Sequence, residues 1–251
     1  MNLKETTMFN EKLENVFYNY YNRIDLFSNE NKELKSLLNK FLKERFVERI
    51  LFTVMVETNI DSLSNKSILI LGLSHDLASF FLKLGAKPEN ITVADISSQA
   101  LEEAQKSISK QLNFSKLDFD RLAFDDNTFD IMVCFNYLSN IPPDNMINNL
   151  VNELYRILKP GGLTFISFTN EIASRDDLQL SGVMRTFRPE EALSFCSKFN
   201  LINLLQFFPN NFSLFSLNNN EHIFPKRIGI IEDIIIEKND RYAESLLLLT
   251  K

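Results

Sequence analysis

A glycine at position 72 and an aspartate at position 95 have the residue types and the spacing of a ribose-binding site. Gly72 follows four apolar residues, and Asp95 lies 23 residues further on, at the end of a second apolar run. The usual separation between such a glycine turn and a ribose-binding acid is about 20 residues. A carboxylate suits a diol because it can accept two hydrogen bonds at once. The alternative is that Asp95 only caps the helix predicted to start at Ser97.

The elements that must position these residues are short apolar runs alternating with longer amphipathic ones. This pattern predicts an α/β fold: a Rossmann-like, doubly wound, mostly parallel seven-stranded sheet with helices on both faces. The run KPGG is predicted to be a turn in which the glycines act through their backbone freedom. The predicted strands are SILILG, ITVAD, FSKLDF, FDIMVCF, LTFISFT, NLINLLQFF and ESLLLLT.

The chain is predicted to divide into two parts. Residues 1–62 repeat apolar side chains at three- and four-residue spacing and contain no Gly or Pro, which predicts an N-terminal helical cap. Residues 63–251 form the α/β domain. Its segment 209–240, which includes the Asn-, Ser- and Phe-rich run FPNNFSLFSLNNN, is predicted to be a lid or insert.

Composition narrows the class of protein and its partners. The net charge of −6 argues against nucleic acid as the main partner, because phosphate binders usually present a basic face. No run approaches the roughly 20 apolar residues of a membrane span, and the polar N-terminus is unlike a signal peptide. We therefore expect a cytoplasmic protein that does not bind a membrane. Cys134 and Cys196 form no motif and are expected to be free thiols, and no metal site is expected.

The ordered set of motifs resembles the class I S-adenosylmethionine-dependent methyltransferases, of the small-molecule, type 11-like kind. ILILGLSHDLASFFLKLGA resembles the glycine-rich first motif, and ITVADISSQALEEAQ the second strand with its ribose acid. LDFDRLAFDDNTFDIMVCFNYLSNIP resembles the third and fourth strands, and MRTFRPEEALSFCSKFNL a later helix and strand. NELYRILKPGGLTFIS is the most specific piece. The resemblance covers residues 68–251 and implies S-adenosylmethionine as cofactor and S-adenosylhomocysteine as product.

The resemblance also implies which residues contact the cofactor. Asp118 would accept a hydrogen bond from the adenine amino group, and Phe119 beside it would line the adenine pocket. Asp120 is the alternative acceptor. The structural alternative is that these acids only belong to a solvated turn. The end of the fourth strand would pass the methionine part, where Asn136 is expected to be exposed in a cleft or else bonded to loop backbone. Asp130, at the start of that strand, is expected to be structural. The implied cofactor residues are Gly72, Ser74, Asp95, Ile96, Asp118, Phe119, Cys134, Phe135 and Asn136, with Tyr20 and Tyr21 as further candidates unless they only pack against the domain.

The first motif departs from the family pattern of an acid followed by Gly-x-Gly-x-Gly. Ile70 stands at the acid position, and Ser74 and Asp76 replace the second and third glycines. Ser74 is small, and Asp76 suits a helix N-cap. Asp76 would add a negative charge near the cofactor's carboxylate, which is unfavourable. The cofactor's sulfonium and ammonium groups are positive, so the two effects oppose each other.

Three functions are compatible with these residues. The first is methyl transfer to a nucleophile on a small-molecule acceptor; no catalytic residue is assigned, and His222 is a weak candidate that is more often a surface residue. The second is a catalytically inactive methyltransferase-like scaffold or binding subunit, with a protein partner or a homodimer. The third, a nicotinamide-dependent oxidoreductase, leaves RILKPGG unexplained.

Overall fold

A computed structural model describes most of the chain. The N-terminal segment, by which we mean residues 11, 13–15 and 17–19, is helical. Beyond it the structure describes residues 34–73, 77–107, 111–119, 121–141, 144–171, 185–209 and 242–251.

Seven strands form a single sheet in the order β3-β2-β1-β4-β5-β7-β6. β7 is antiparallel to both of its neighbours, and the other described pairings are parallel. The strands are β1 (Ile68–Leu71), β2 (Ile91–Asp95), β3 (Asn113–Lys116), β4 (Phe129–Cys134), β5 (Leu158–Thr169), β6 (Asn200–Pro209) and β7 (Tyr242–Thr250).

The strand order makes this a doubly wound sheet. From β1 the chain moves outward to β2 and β3, then returns to the other side of β1 with β4 and β5. Right-handed crossovers then place the connecting helices on opposite faces of the sheet. The direction of winding reverses between β1 and β4, and ligands of such sheets bind at the carboxyl ends of the strands there. The predicted Rossmann-like fold is confirmed.

The helices that cover this sheet bury apolar side chains against it. In α4, for example, Met146, Ile147, Leu150, Val151, Leu154 and Ile157 are buried. The helices are α1 (Leu34–Glu57), α2 (Leu77–Lys83), α3 (Ser98–Ser107), α4 (Asp144–Ile157) and α5 (Pro189–Phe195), with short 3-10 turns at Pro88–Asn90 and Leu138–Asn140. Among these residues no helix is both long enough and apolar enough to cross a membrane.

The described part of the predicted cap shares one apolar core with the sheet. Phe17 of the N-terminal segment and Leu51, Val54 and Met55 of α1 are buried in the same cluster as the strands. The boundary at residue 62 and the lid at 209–240 stay predictions, because the lid lies outside the described residues except for Pro209.

Several strand boundaries differ from the sequence prediction, two of them by three residues or more. β5 begins at Leu158, so KPGG lies within the strand. There it forms an irregularity in which the pairing with β4 shifts from Leu158 to Leu163, and Gly161 has a φ of 74°. β3 ends at Lys116, because its last partner on β2 is Asp95, where β2 itself ends. Asp118 therefore lies two residues beyond the strand.

Candidate functional site

Strand register brings the ends of three strands together at one edge of the sheet. Leu71, the last residue of β1, is paired with Ala94 on β2 and with Cys134 on β4. The residues that follow, Gly72 and Asp95, therefore leave the sheet side by side. We call this place the cofactor edge: the carboxyl ends of β1, β2 and β4.

Gly72 is in the conformation that the sharp turn after β1 requires. Its φ is 84°, a region that side chains other than glycine rarely adopt. Its amide donates a hydrogen bond of 2.9 Å to the carbonyl of Ala94, which ties the turn to the end of β2. The turn of the first motif is thus held directly against the strand that carries Asp95.

Asp95 is fully buried at the end of β2. Its Oδ1 accepts a hydrogen bond of 2.7 Å from the amide of Ser97, and Ser97 Oγ accepts one of 3.2 Å from Ala100. The helix-start contact weighed as an alternative for Asp95 is therefore present. This contact uses Oδ1 of the carboxylate, and ribose binding by Asp95 stays a prediction.

The loop after β3 carries the residues predicted to meet adenine. Phe119 is buried, whereas Asp118 is exposed. The amide of Leu117 donates to the carbonyl of Asp95 at 2.8 Å, so this loop leaves the sheet beside the end of β2. Asp120, the alternative acceptor, lies outside the described residues.

The expectation that Asn136 is exposed in a cleft is wrong. Cys134, Phe135 and Asn136 are all buried, and Asn136 is only 7% exposed. Its amide donates to Ser167 Oγ at 2.8 Å, and that hydroxyl lies 3.3 Å from Asn136 Oδ1, to which it donates. The carbonyl of Asn136 accepts from Asn140 Nδ2 at 3.0 Å. Asn136 thus joins β4 to β5, and its φ of 52° marks a tight turn.

Both cysteines are free, as expected from the sequence, and the structure shows that both are buried. Burial raises the pKa of the Cys134 thiol well above its ordinary range and that of Cys196 to about 12. Neither thiol is suited to act as a nucleophile at neutral pH.

The described residues do not include several predicted site residues: Ser74, Asp76, Tyr20, Tyr21 and His222. Their predicted roles remain predictions.

Sequence reasoning missed Tyr137, which lies at the centre of the cofactor edge. Its ring is 2% exposed, and its hydroxyl oxygen accepts a hydrogen bond of 3.2 Å from the amide of Ile96. Its ring centroid lies 4.6 Å from that of Phe17 and 6.1 Å from that of Phe119. Burial, followed by the negative charge of Asp95, raises the pKa of Tyr137 well above its ordinary value. The only sequence signal was an aromatic residue directly after Asn136.

The N-terminal segment reaches the same edge through polar contacts that the sequence also did not reveal. Glu14 Oε1 accepts a hydrogen bond of 2.8 Å from the amide of Ser98, the first residue of α3. Its carboxylate also pairs with Lys116 Nζ at 3.2 Å. Tyr18 donates its hydroxyl proton to Glu103 at 2.9 Å. Burial opposes the charge on Glu14, but the Ser98 amide and Lys116 outweigh it and lower the Glu14 pKa.

An arginine on α4 holds the loop that carries Phe119. Arg156 donates to the carbonyls of Leu122 and Phe124 at 3.0 and 2.8 Å and pairs with Asp126 at 2.7 Å. It also forms a two-pronged pair with Glu153, whose Oε2 accepts from the amide of Leu122 at 2.9 Å. The loop is thereby fixed to α4.

The opposite edge of the sheet holds a different group of polar residues. Asp130 Oδ2 accepts from the Ser67 amide at 2.9 Å and from Lys159 Nζ at 2.7 Å, and Lys66 lies 3.9 Å from Oδ1. These contacts join the starts of β1, β4 and β5. A cleft of about 610 Å³ lies beside them. It is at the amino ends of the strands, away from the edge where parallel sheets bind ligands, so we do not assign it to the cofactor.

Comparisons with known proteins agree with the arrangement at the cofactor edge. Residues 72–166 match the family described as "Methyltransferase domain". Over 107 residues the chain is 32% identical to the ubiquinone/menaquinone biosynthesis C-methyltransferase UbiE of Bartonella quintana, which is 40% of each chain. Over 161 residues it is 27% identical to UbiE of Rickettsia akari, covering 60% of this chain and 57% of that one. The chain therefore spans about two fifths to three fifths of the length of these relatives.

A solved structure supports the same fold. An S-adenosylmethionine-dependent methyltransferase of Mesorhizobium loti superposes with a TM-score of 0.55 over 80% of this chain and 97% of that one, at 16% identity. Neither the scaffold nor the nicotinamide alternative is favoured by these comparisons. The chain therefore has the fold of the S-adenosylmethionine-dependent methyltransferases, and its residues 72–166 match a methyltransferase domain.

Proposed function

We propose that this protein transfers a methyl group from S-adenosylmethionine to a nucleophile on a small-molecule acceptor. The observation that carries the proposal is the cofactor edge itself. There Gly72 keeps its sharp turn, bonded to Ala94, and Asp95 ends the neighbouring strand at the point where the winding of the sheet reverses. This is the place and the chemistry that an adenosine-containing cofactor requires.

The residues present fit the adenosine part of such a cofactor. Asp95 supplies carboxylate oxygens for the ribose hydroxyls, and the Ile96 amide supplies a donor next to them. Phe119 supplies an apolar ring for the adenine face, and the exposed Asp118 supplies an acceptor for the adenine amino group. Hydrogen bonds to a charged group contribute about 1.5–3 kcal/mol each, so we expect Asp95 to make the largest single contribution to the binding free energy of the cofactor.

The bound cofactor would supply a methyl group on a positively charged sulfonium. The chain's own contribution is to hold both reactants in line and to exclude water. The end of β4 suits this task, because Cys134 and Phe135 are buried and carry no charge. We assign no general base, since the part of the chain that the structure describes contains no histidine.

The acceptor is proposed to be a small organic molecule. The curated relatives are named for ubiquinone and menaquinone biosynthesis, which makes precursors of those quinones the first acceptors to test. A protein partner or a homodimer also remains a proposal, and so does a cytoplasmic location.

The test is isothermal titration calorimetry of the full chain with S-adenosylhomocysteine. The Asp95→Asn variant keeps the side-chain shape and an oxygen for the Ser97 amide but removes the charge, so we expect about tenfold to a hundredfold weaker binding. Asp61→Asn is the matched control, because Asp61 is an exposed aspartate at the opposite edge. Equal affinity in wild type and Asp95→Asn would refute the ribose assignment. The proposed function is refuted if S-adenosylhomocysteine binds neither to wild type nor to Tyr137→Ala, a variant described below that opens the cofactor edge.

A further inference from the structure

We infer that Tyr137 occupies the ribose position of the cofactor edge in a closed state, and that the N-terminal segment holds it there. Cofactor binding then requires the Tyr137 ring to leave. This inference rests on the proposed function, because it concerns how the same site admits its cofactor.

Tyr137 contacts two groups that we propose hold the adenosine part of the cofactor. Its hydroxyl oxygen takes the hydrogen bond of the Ile96 amide, the donor next to the predicted ribose acid. Its ring packs against Phe119, the residue predicted to line the adenine pocket. Asp95 is fully buried, so no ribose hydroxyl can reach its carboxylate unless a covering group moves.

Phe17 closes the edge behind this ring. The Phe17 side chain is fully buried and its centroid lies 4.6 Å from that of Tyr137, an ordinary distance for an aromatic pair. Phe17 belongs to the N-terminal segment, which is more than 100 residues from Tyr137 in sequence. The two rings therefore form a tertiary contact that depends on how that segment is docked.

Polar contacts of two side chains, Glu14 and Tyr18, dock the segment onto the domain. Glu14 accepts from the amide of Ser98 and pairs with Lys116, and Tyr18 donates to Glu103 on α3. An anionic side chain at the start of a helix is stabilised by the helix dipole. Weakening these contacts should therefore release Phe17 and, with it, the Tyr137 ring.

A closed state lowers the apparent affinity for the cofactor by the fraction of molecules that are open. Variants that destabilise only the closed state should consequently bind more tightly than wild type. We expect Tyr137→Ala to bind S-adenosylhomocysteine about tenfold more tightly, and Phe17→Ala and Glu14→Gln several-fold more tightly. Tyr137→Phe, which loses only the bond to Ile96, should show a smaller gain.

Calorimetry with S-adenosylhomocysteine tests these variants in the full chain. Tyr155→Ala is the matched control, because Tyr155 is an aromatic residue on α4 that stacks on Phe199 away from the cofactor edge. Tighter binding by the Tyr137, Phe17 and Glu14 variants but not by the control supports the inference. If wild type binds, and the Tyr137, Phe17 and Glu14 variants all bind equally or more weakly, the inference is overturned and the proposed function stands. Absence of binding by wild type and all variants overturns both.

Hydrogen exchange provides a readout that does not depend on the variants folding well. If the cofactor displaces the segment, S-adenosylhomocysteine should speed exchange of the backbone amides in residues 13–19 of the wild-type chain. Slower exchange there would mean that the segment closes over a bound cofactor instead, and would overturn the inference.

Discussion

Removing the Arg156 side chain should weaken both the fold and the cofactor edge. Its guanidinium makes five hydrogen bonds, two to loop carbonyls and three to the carboxylates of Glu153 and Asp126. The pairs with Glu153 and Asp126 raise the Arg156 pKa further, so the group is charged at any pH of interest. Arg156→Ala leaves the carbonyls of Leu122 and Phe124 without this donor.

The size of the effect follows from these contacts. A bond to a charged group contributes about 1.5–3 kcal/mol, but bonds that share one side chain do not add, and the side chain is 22% exposed. We therefore expect the free energy of unfolding to fall by about 2–3 kcal/mol. For a chain of this length that corresponds to about 4–12 °C in Tm. Because the freed loop carries Phe119, the affinity for S-adenosylhomocysteine should fall as well.

Urea unfolding followed by far-ultraviolet circular dichroism measures the stability loss, since the chain contains no tryptophan to report by fluorescence. Arg188→Ala is the matched control. Arg188 is 71% exposed and makes one long ion pair of 3.7 Å with Glu171, so its loss should cost less than about 1 kcal/mol. If Arg156→Ala and Arg188→Ala lose the same small amount, the loop is held by its apolar contacts and the reasoning from hydrogen bonds is wrong.

Two further predictions concern the opposite edge of the sheet. Burial opposes the charge on Asp130, but Lys159, the Ser67 amide and Lys66 together lower its pKa, so its stabilising effect is present above the ordinary carboxyl pKa and is lost as pH falls through the lowered value. Asp130→Asn should therefore cost about 1–3 kcal/mol at pH 7, and the gap from wild type in urea midpoints should shrink below about pH 4; a gap constant with pH would contradict this. Gly162→Ala should cost about 1–3 kcal/mol in the same assay, because a Cβ there would lie 2.7 Å from Leu158 Cδ1 and 2.9 Å from the Lys159 carbonyl oxygen; an unchanged midpoint would show that β5 adjusts freely.

The fold was predictable because most strands of the parallel part can be recognised from their own residues. Ile68–Leu71 is a short apolar run and Ile91–Asp95 a mostly apolar one; β2 ends at the predicted Asp95, and β1 ends one residue before the predicted Gly72. The end of β3 was not predictable in this way. It is set by where its neighbour β2 stops, and that pairing is a tertiary property.

At the candidate site, only those residues whose position is set by their own strand were predictable from the sequence. Gly72 and Asp95 are of this kind, since a turn and an acid at a strand end are local features. Asn136 is not, because its burial depends on Ser167, which lies 31 residues further along the chain. For the same reason the sequence did not single out Phe17, which packs against Tyr137. Tyr20 and Tyr21, the aromatic residues named from the sequence, lie outside the described residues and stay predictions.

The departures in the first motif concern the methionine end of the cofactor, whereas Tyr137 lies where we propose that the adenosine end binds. Ile70 replaces the acid that would partner the cofactor's amino group, and the side chain of Ile70 is buried and apolar. In the proposed function, recognition then depends mainly on the adenosine end, through Asp95, the Ile96 amide and Phe119. Tyr137 contacts Ile96 and Phe119 and lies close enough to Asp95 to feel its charge. Under our inference, Tyr137 therefore competes with the interactions on which cofactor binding mainly depends.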